Sequence, residues 1–341
     1  MADYNRSEAR DWARADMAGV CGCLLPTLNS SLTAVNEKAI RHDMRLEAEL
    51  GYWGSLLVSE CGTTPDEMRR VIEIAVDEAD RSGLRTMLLA SFQTLDQSCE
   101  MISFAESAGV DMVMVSYPLM FRPRSEDDVF EYTKAIAEAS DLGVMLFCIH
   151  HWDFMRLHPS GFSPQLMERL VGECETVVAI KNEIGRPGVG GQTEVFERFN
   201  DRVVVSDPFE ENSPVWVKNY GMKFLGTANY EYMGMELPRY FELLHAGDWD
   251  AAMEIYWRLH PARLAGSQTT AETMAGTNLV HRLVWKYKAW LNGFNGGPIR
   301  SPHSRLTDAQ MRRLRGALTQ TGITPRPDED DDFFAGRNPE E

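Results

Sequence analysis

From about residue 18 the chain alternates short, nearly continuous apolar runs with longer stretches in which apolar residues recur every three or four positions. A continuous apolar run of about four to eight residues reads as a strand buried on both faces, and the recurrence of roughly 3.6 residues as a helix packed on one side. The spacing predicts strands at 18–25, 54–58, 85–91, 111–116, 144–149, 176–181, 202–206 and 223–227. It predicts helices over 36–50, 65–81, 94–108, 126–140, 163–172 and 212–220, with a weaker pattern near 192–199. Strands alternating with helices pair in parallel through right-handed crossovers, and eight of them predict an α/β fold closed into a (β/α)8, or TIM, barrel. A doubly wound open sheet is the competing arrangement, but it expects a Gly-rich dinucleotide turn after the first strand, and the sequence after residue 25 has none.

Beyond residue 234 the pattern is helical, at about 236–245, 248–260, 264–290 and 307–319, with Gly293, Gly296, Gly297, Pro298 and Pro302 breaking it before the last helix. The expected organisation is an N-terminal extension over 1–17, a barrel over 18–234, a C-terminal helical bundle over 235–322 and an acidic tail over 323–341. The bundle carries Trp257, Leu279, Trp285 and Trp290, large apolar groups that need cover from a second subunit or from the barrel's own base. Met112, Met114, Met120, Met222 and Met233 read as fillers of irregular core gaps.

Composition narrows the setting. At 341 residues and 44% hydrophobic, the chain reads as globular, and no apolar run is long enough to span a bilayer. The first residues lack the apolar stretch of a signal peptide, and the six cysteines show neither disulfide nor zinc spacing, so a reducing cytoplasm is expected. A formal charge of −17 argues against nucleic acid and anionic membrane as partners. Residues 328–341 hold seven acids and one arginine, leaving −11 on the rest, and such a tail is expected to be solvated and disordered unless Phe333 and Phe334 dock.

The chemistry centres on Lys181. It closes the apolar run Val177-Val178-Ala179-Ile180 and is followed by Asn182, Glu183, Ile184 and Gly185. An amine at the mouth of a buried strand loses hydration, which favours the neutral form that attacks a carbonyl. The plainer alternative is a lysine that marks a strand end and points into water. Barrel active sites lie at the C-terminal strand ends. Those ends present Ser59, Glu60 and Cys61; Ser91 and Phe92; Ser116 and Tyr117; His150 and His151; Asp207; and Thr227 to Asn229. Lys181 thus has polar company, which favours the functional reading.

These residues resemble the dihydrodipicolinate synthase and N-acetylneuraminate lyase family of Schiff-base barrels from about residue 18 to 320. The ordered cues are Gly54-Ser55-Leu56-Leu57-Val58, Arg122-Pro123 with Ser125-Glu126, Val178-Ala179-Ile180-Lys181, and Phe224-Leu225-Gly226-Thr227-Ala228-Asn229. Ala246-Gly247-Asp248 and Gly297-Pro298-Ile299-Arg300-Ser301-Pro302 continue the series. The resemblance implies that Lys181 is the Schiff-base lysine and that the protein assembles as a dimer of dimers. It implies no cofactor.

The departures are chemical. The family's strand-five tyrosine, a proton shuttle, falls on Phe147, and a phenyl ring has no proton to move. The family's Gly-Thr-Thr-Gly-Glu loop, which holds a 2-oxo acid carboxylate, is replaced by Ser59-Glu60-Cys61-Gly62, while Thr63-Thr64 reads as the cap of the next helix. An ionised Glu60 facing the site would repel a carboxylate. Tyr117-Pro118-Leu119-Met120-Phe121 replaces the paired tyrosines after strand four. His150 and His151 follow strand five, and alternation along a strand would turn one of them toward the site. His150, nearer the strand end, is the expected acid–base group; an ordinary structural or exposed pair is the alternative. Trp152, Phe154, Phe209, Tyr230 and Tyr232 lie beyond strand ends and suit either loop packing or an aromatic substrate. The Arg186-to-Gly191 loop reads as a mobile loop, not a phosphate cradle.

The expected function is therefore a Schiff-base lyase, an aldolase or hydratase-aldolase, acting on a small-molecule carbonyl substrate. Lys181, His150 and Glu60 would be catalytic, and Ser59, Cys61, Tyr117, Phe147, His151, Trp152, Asp207 and Asn229 would bind substrate. One alternative is a hydrolase or decarboxylating enzyme using Glu60 and His150, with or without a divalent metal to which Asp207 contributes. Another is a binding protein that has lost the chemistry. The departures at Glu60-Cys61 and Phe147 predict poor pyruvate aldol chemistry, checked as slow condensation of pyruvate with aspartate semialdehyde; robust turnover would show the departures to be misread.

Overall fold

The computed structural model describes residues 3–118, 120–183, 189–275 and 279–341. Eight strands form one parallel sheet in the order β7-β6-β5-β4-β3-β2-β1-β8, the topology of a (β/α)8 barrel, with further helices after the last strand. The strands are β1 (Gly19–Leu24), β2 (Gly54–Leu57), β3 (Arg85–Ala90), β4 (Met112–Val115), β5 (Gly143–Cys148), β6 (Val177–Asn182), β7 (Val204–Ser206) and β8 (Phe224–Gly226). Every predicted strand is present within two residues of its expected ends, because the apolar runs are bounded by glycine, proline or charge. Among the described residues no helix is long and apolar enough to cross a membrane.

The chain folds into two compact units. The first comprises Met1–Cys21 and Arg85–Gly226 and carries β3 to β8 with their helices. Those helices are α4 (Leu95–Ala108), α5 (Glu126–Glu138), α6 (Pro164–Glu173), α7 (Val189–Phe199) and α8 (Ser213–Tyr220). Thr94, Ser125 and Ser163 cap the first three through side-chain oxygens, satisfying amides that a helix start leaves open.

The N-terminal extension also contains a helix, α1 (Ala9–Asp16), that the hydrophobic pattern alone did not predict. It buries only Ala9 and Ala13, too small a stripe to read, and is positioned by polar groups. Arg10 donates to the Val177 carbonyl at 3.0 Å, Tyr4 donates to Asp111 and accepts from Gly143 N, and Arg85 pairs with Asp16 at 2.9 Å. This segment covers the N-terminal ends of β3 to β6, opposite the strand ends where Lys181 lies.

The second unit comprises Gly22–Leu84 and Thr227–Glu341. It holds α2 (Glu37–Glu49), β2, α3 (Pro65–Ser82) and the C-terminal helices α9 (Glu236–Ala246), α10 (Trp249–Met274), α11 (Arg282–Leu291) and α12 (Asp308–Gln320). The expected break near residue 261 is absent: α10 runs through Pro261, which loses one amide bond but leaves the apolar packing of Ile255, Leu259, Ala262 and Ala265 unbroken. Trp290 is buried within the unit, whereas Trp257 is 62% exposed. Met120, in the first unit, is 92% exposed and does not fill the core; Met112, Met114, Met222 and Met233 are buried.

The acidic tail is ordered, contrary to the expectation of a disordered segment. Phe333 is fully buried edge-on against Tyr287 and Trp290, and its carbonyl accepts from Gly297 N at 2.7 Å. Arg315 pairs with Asp330 at 2.6 Å and Arg337 with Asp328 at 2.5 Å. The composition concealed this because one buried ring and two arginine partners suffice to anchor a segment whose other acids remain solvated.

The second unit also buries two carboxyl groups. Glu47 and Glu231 oxygens each lie 2.9 Å from the point that a Cβ on Gly22 would occupy, beside the Tyr52 ring, so only glycine fits there. Burial, with a smaller push from the Glu231 charge, holds Glu47 well up, and desolvation raises Glu231 to about 7 against the bonds it accepts. Cys23 N at 2.6 Å and Asn229 Nδ2 at 2.8 Å donate to Glu231. A carboxyl raised on folding costs nothing below its unfolded value of 4.5, where both states are protonated. Between that value and about 7 the unfolded chain ionises first, and native stability falls. This group is expected to remove on the order of 2–3 kcal/mol between pH 5 and 8. Urea unfolding at both pH values should show a smaller loss in Glu231→Gln, which keeps the oxygen that accepts from Cys23; an unchanged loss would contradict the assignment.

Candidate active site

In β6 every residue is buried, and alternation sets the side-chain directions. Asn182 turns toward α7, donating to Gln192 Oε1 and accepting Gln192 Nε2 at its carbonyl. Lys181 points the opposite way, and its amine meets Oε1 of Glu183, the residue just past the strand end, at 2.9 Å. The parallel register sets Phe147 of β5 beside Lys181, with Nζ 4.1 Å from the ring centroid. Lys181 is only 3% exposed, so a carboxylate and a ring face stand beside its amine where water would otherwise be. The position expected for a tyrosine therefore does adjoin the lysine, but offers it no proton.

An aromatic wall stands behind this pair. Trp152 donates from Nε1 to the Phe147 carbonyl at 3.0 Å and meets the Phe147 ring edge-on. Tyr117 is buried among Phe121, Tyr132, Trp152 and Phe154, and its hydroxyl is bonded to Thr133 at 2.6 Å. Desolvation raises the Tyr117 phenol far above its ordinary range, which keeps its hydroxyl protonated. Loop packing thus accounts for Trp152 and Phe154.

Strand β5 stops at Cys148, and His150 and His151 sit on a 3-10 turn that ends at Trp152. Strand alternation does not govern the pair, which corrects the argument by which one was chosen: His150 is exposed and His151 half-buried. Asp207 is buried and accepts from Phe209 N, Asn212 Nδ2 and Trp216 Nε1 at 2.8–2.9 Å, tying the end of β7 to the start of α8. Desolvation raises it to about 6 despite these bonds, with a smaller push from the Glu183 charge. The loop from Arg186 to Gly188 lies outside the described residues.

The second unit holds the loop that departs from the family. Ser59 and Cys61 are buried, and the Glu60 carboxylate is bonded to Arg282 of α11. His303 donates from Nε2 to the Glu60 carbonyl at 2.7 Å, and Arg300 N donates to the Cys61 carbonyl at 3.2 Å. Gly62 has φ +77°, and a Cβ there would meet Ser301 O at 2.6 Å. Thr64 caps α3 in a reciprocal pair with Glu67, as expected. The expectation that an ionised Glu60 repels anions is corrected, since Arg282 cancels its charge. Asn229 is directed to Glu231 and the Trp285 carbonyl. Among the described residues no three histidine, cysteine or acidic groups are grouped to hold a metal.

Sequence reasoning missed several groups. Glu183 was legible as an acid two residues past Lys181. Lys286 was legible as a partner of Arg282 on one face of α11, four residues apart. It is buried, lowered to about 8 by desolvation, and donates to Thr27 Oγ1 at 2.7 Å and the Leu25 and Pro26 carbonyls at 3.1 and 3.3 Å. His303 had no local signal.

Breaking the Glu60 pair leaves the Arg282 charge buried. Glu60→Gln is expected to destabilise the fold by about 1.5–3 kcal/mol, read as a lowered Tm. An unchanged Tm would show that Arg282 finds its solvation elsewhere.

Comparison with known proteins follows the same lines. Residues 59–320 match the dihydrodipicolinate synthetase family. A 4-hydroxy-tetrahydrodipicolinate synthase of Methanopyrus kandleri is 24% identical over 324 residues, covering 90% of this chain and 97% of that protein. Dihydrodipicolinate synthase from Oceanobacillus iheyensis superposes with a TM-score of 0.76 at 15% identity, over 92% of this chain and 99% of that one. N-acetylneuraminate lyase from Fusobacterium nucleatum gives 0.69 at 18% identity, over 89% and 99%. At these identities the structural likeness speaks for the fold.

Proposed function

This chain belongs to the dihydrodipicolinate synthetase family, and from that premise we propose that it is a lyase forming a Schiff base between Lys181 and a small carbonyl compound, as an aldolase or hydratase-aldolase. The observation that carries this reading is the buried Lys181 amine at the end of β6, held between the Glu183 carboxylate and the Phe147 ring. An amine in that position attacks a carbonyl carbon, and the resulting iminium draws electrons from the adjacent bond, which is then made or broken. Low exposure keeps water from the imine and so slows its hydrolysis.

His150 is an exposed imidazole on the turn just past β5, and we assign it proton exchange at the substrate carbon. Glu60 is assigned no proton transfer, because Arg282 holds its carboxylate. The reaction named for the relatives is not carried over unchanged: Phe147 and Ser59-Glu60-Cys61-Gly62 depart at the two places where the family handles protons and the substrate carboxylate.

Borohydride reduction in the presence of a panel of oxo acids and aromatic aldehydes, followed by peptide mass spectrometry, is expected to place an adduct on Lys181. Lys181→Ala should show no adduct and no turnover, while His150→Ala should turn over more slowly and still trap at Lys181. Full turnover by Lys181→Ala would reject the lyase mechanism.

A further inference from the structure

We propose that Glu183 is a catalytic residue, the acid–base group that carries protons for Lys181 where the family uses a phenol. The inference rests on the Schiff-base reading above and adds a residue to it. Three observations support it. Glu183 Oε1 lies 2.9 Å from Lys181 Nζ, within reach of direct proton transfer. The ring beside the amine is Phe147, which cannot donate or accept a proton. In the aromatic wall, the hydroxyl of Tyr117 is committed to Thr133.

The local geometry explains why this carboxylate can serve. Glu183 sits two residues past Lys181, just past the strand end, and its side chain is 13% exposed. It is shielded enough to stay beside the amine and open enough to exchange protons with water. Among the described residues its charge acts on Asp207 at the end of β7 and on Cys148 in β5, both buried. Asp207 is occupied by Phe209 N, Asn212 and Trp216, and desolvation keeps Cys148 a neutral thiol.

The steps balance with one carboxylate. Glu183 takes a proton from the Lys181 ammonium, and the neutral amine bonds to the carbonyl carbon. The protonated carboxyl returns that proton to the carbonyl oxygen, giving a carbinolamine whose nitrogen carries two hydrogens and a positive charge. Glu183 removes one of these hydrogens and delivers it to the hydroxyl, which leaves as water. An iminium with one N–H remains, its charge paired with the restored carboxylate. Ammonium and carbonyl have become iminium and water, with no other reactant.

The sign of the effect separates this role from simple charge pairing. A carboxylate that only stabilises the ammonium holds the amine back, so its removal would leave imine formation unchanged or faster. A proton carrier predicts the reverse. Formaldehyde with cyanoborohydride serves as the probe, with methylation at Lys181 followed peptide by peptide. Relative to the parent, Glu183→Gln is expected to slow Lys181 methylation by about 10²–10⁴-fold. Glu183→Asp should fall between the two, and added formate should accelerate Glu183→Ala toward the parent rate. Circular dichroism and Tm establish that each variant is folded. Should Glu183→Gln fail to fold, formate acceleration of folded Glu183→Ala decides the matter, and its absence overturns the proposal. Methylation of Glu183→Gln at or above the parent rate overturns it as well, leaving the Schiff-base reading intact. A parent protein in which Lys181 is never methylated, and never trapped with any carbonyl of the panel, removes both.

Discussion

The site depends on holding the Lys181 amine almost dry at the end of a strand. Water would solvate Lys181 at no structural cost; at 3% exposure the protein must supply that solvation itself. Two of the groups beside the amine are Glu183, just past the end of β6, and Phe147, set there from the neighbouring strand by parallel register. Asn182 is turned the other way and fixed to α7, which keeps the strand end from twisting and so fixes where Lys181 and Glu183 point.

The second unit solves the same problem differently at each of its buried charges. Arg282 takes Glu60 as a counter-ion, whereas Lys286 has only neutral oxygens, and its amine is correspondingly easier to deprotonate. Glu47 and Glu231 crowd each other, and protonation relieves them. These buried charges are thus settled by pairing, by neutral acceptors, or by taking up a proton.

The fold was legible because its signals are local. Each strand is an apolar run with punctuated ends, and Thr64 with Glu67 marks a helix start in four residues. What escaped had no local signature or a misleading one. Pro261 reads as a break, yet tertiary packing carries α10 through it. The tail reads as disordered by its acids, yet Phe333 anchors it. At the site, Lys181 and the vacancy at Phe147 were visible in the sequence, but Arg282 reaches Glu60 from 222 residues away. The histidine pair shows the limit of alternation: it holds only while the strand continues, and β5 ends at Cys148, two residues before His150.

Phe147 and Glu183 approach the amine from separate strands, and this independence bears on how such a site changes over generations. Neither side chain occupies the other's place, so a phenol at 147 and a carboxylate at 183 are sterically compatible in one ancestor. On the role proposed for Glu183, loss of the phenolic oxygen removes a redundant group and passes through no inactive intermediate. The ring that remains is then released from proton chemistry and becomes free to drift in size with the substrate it faces.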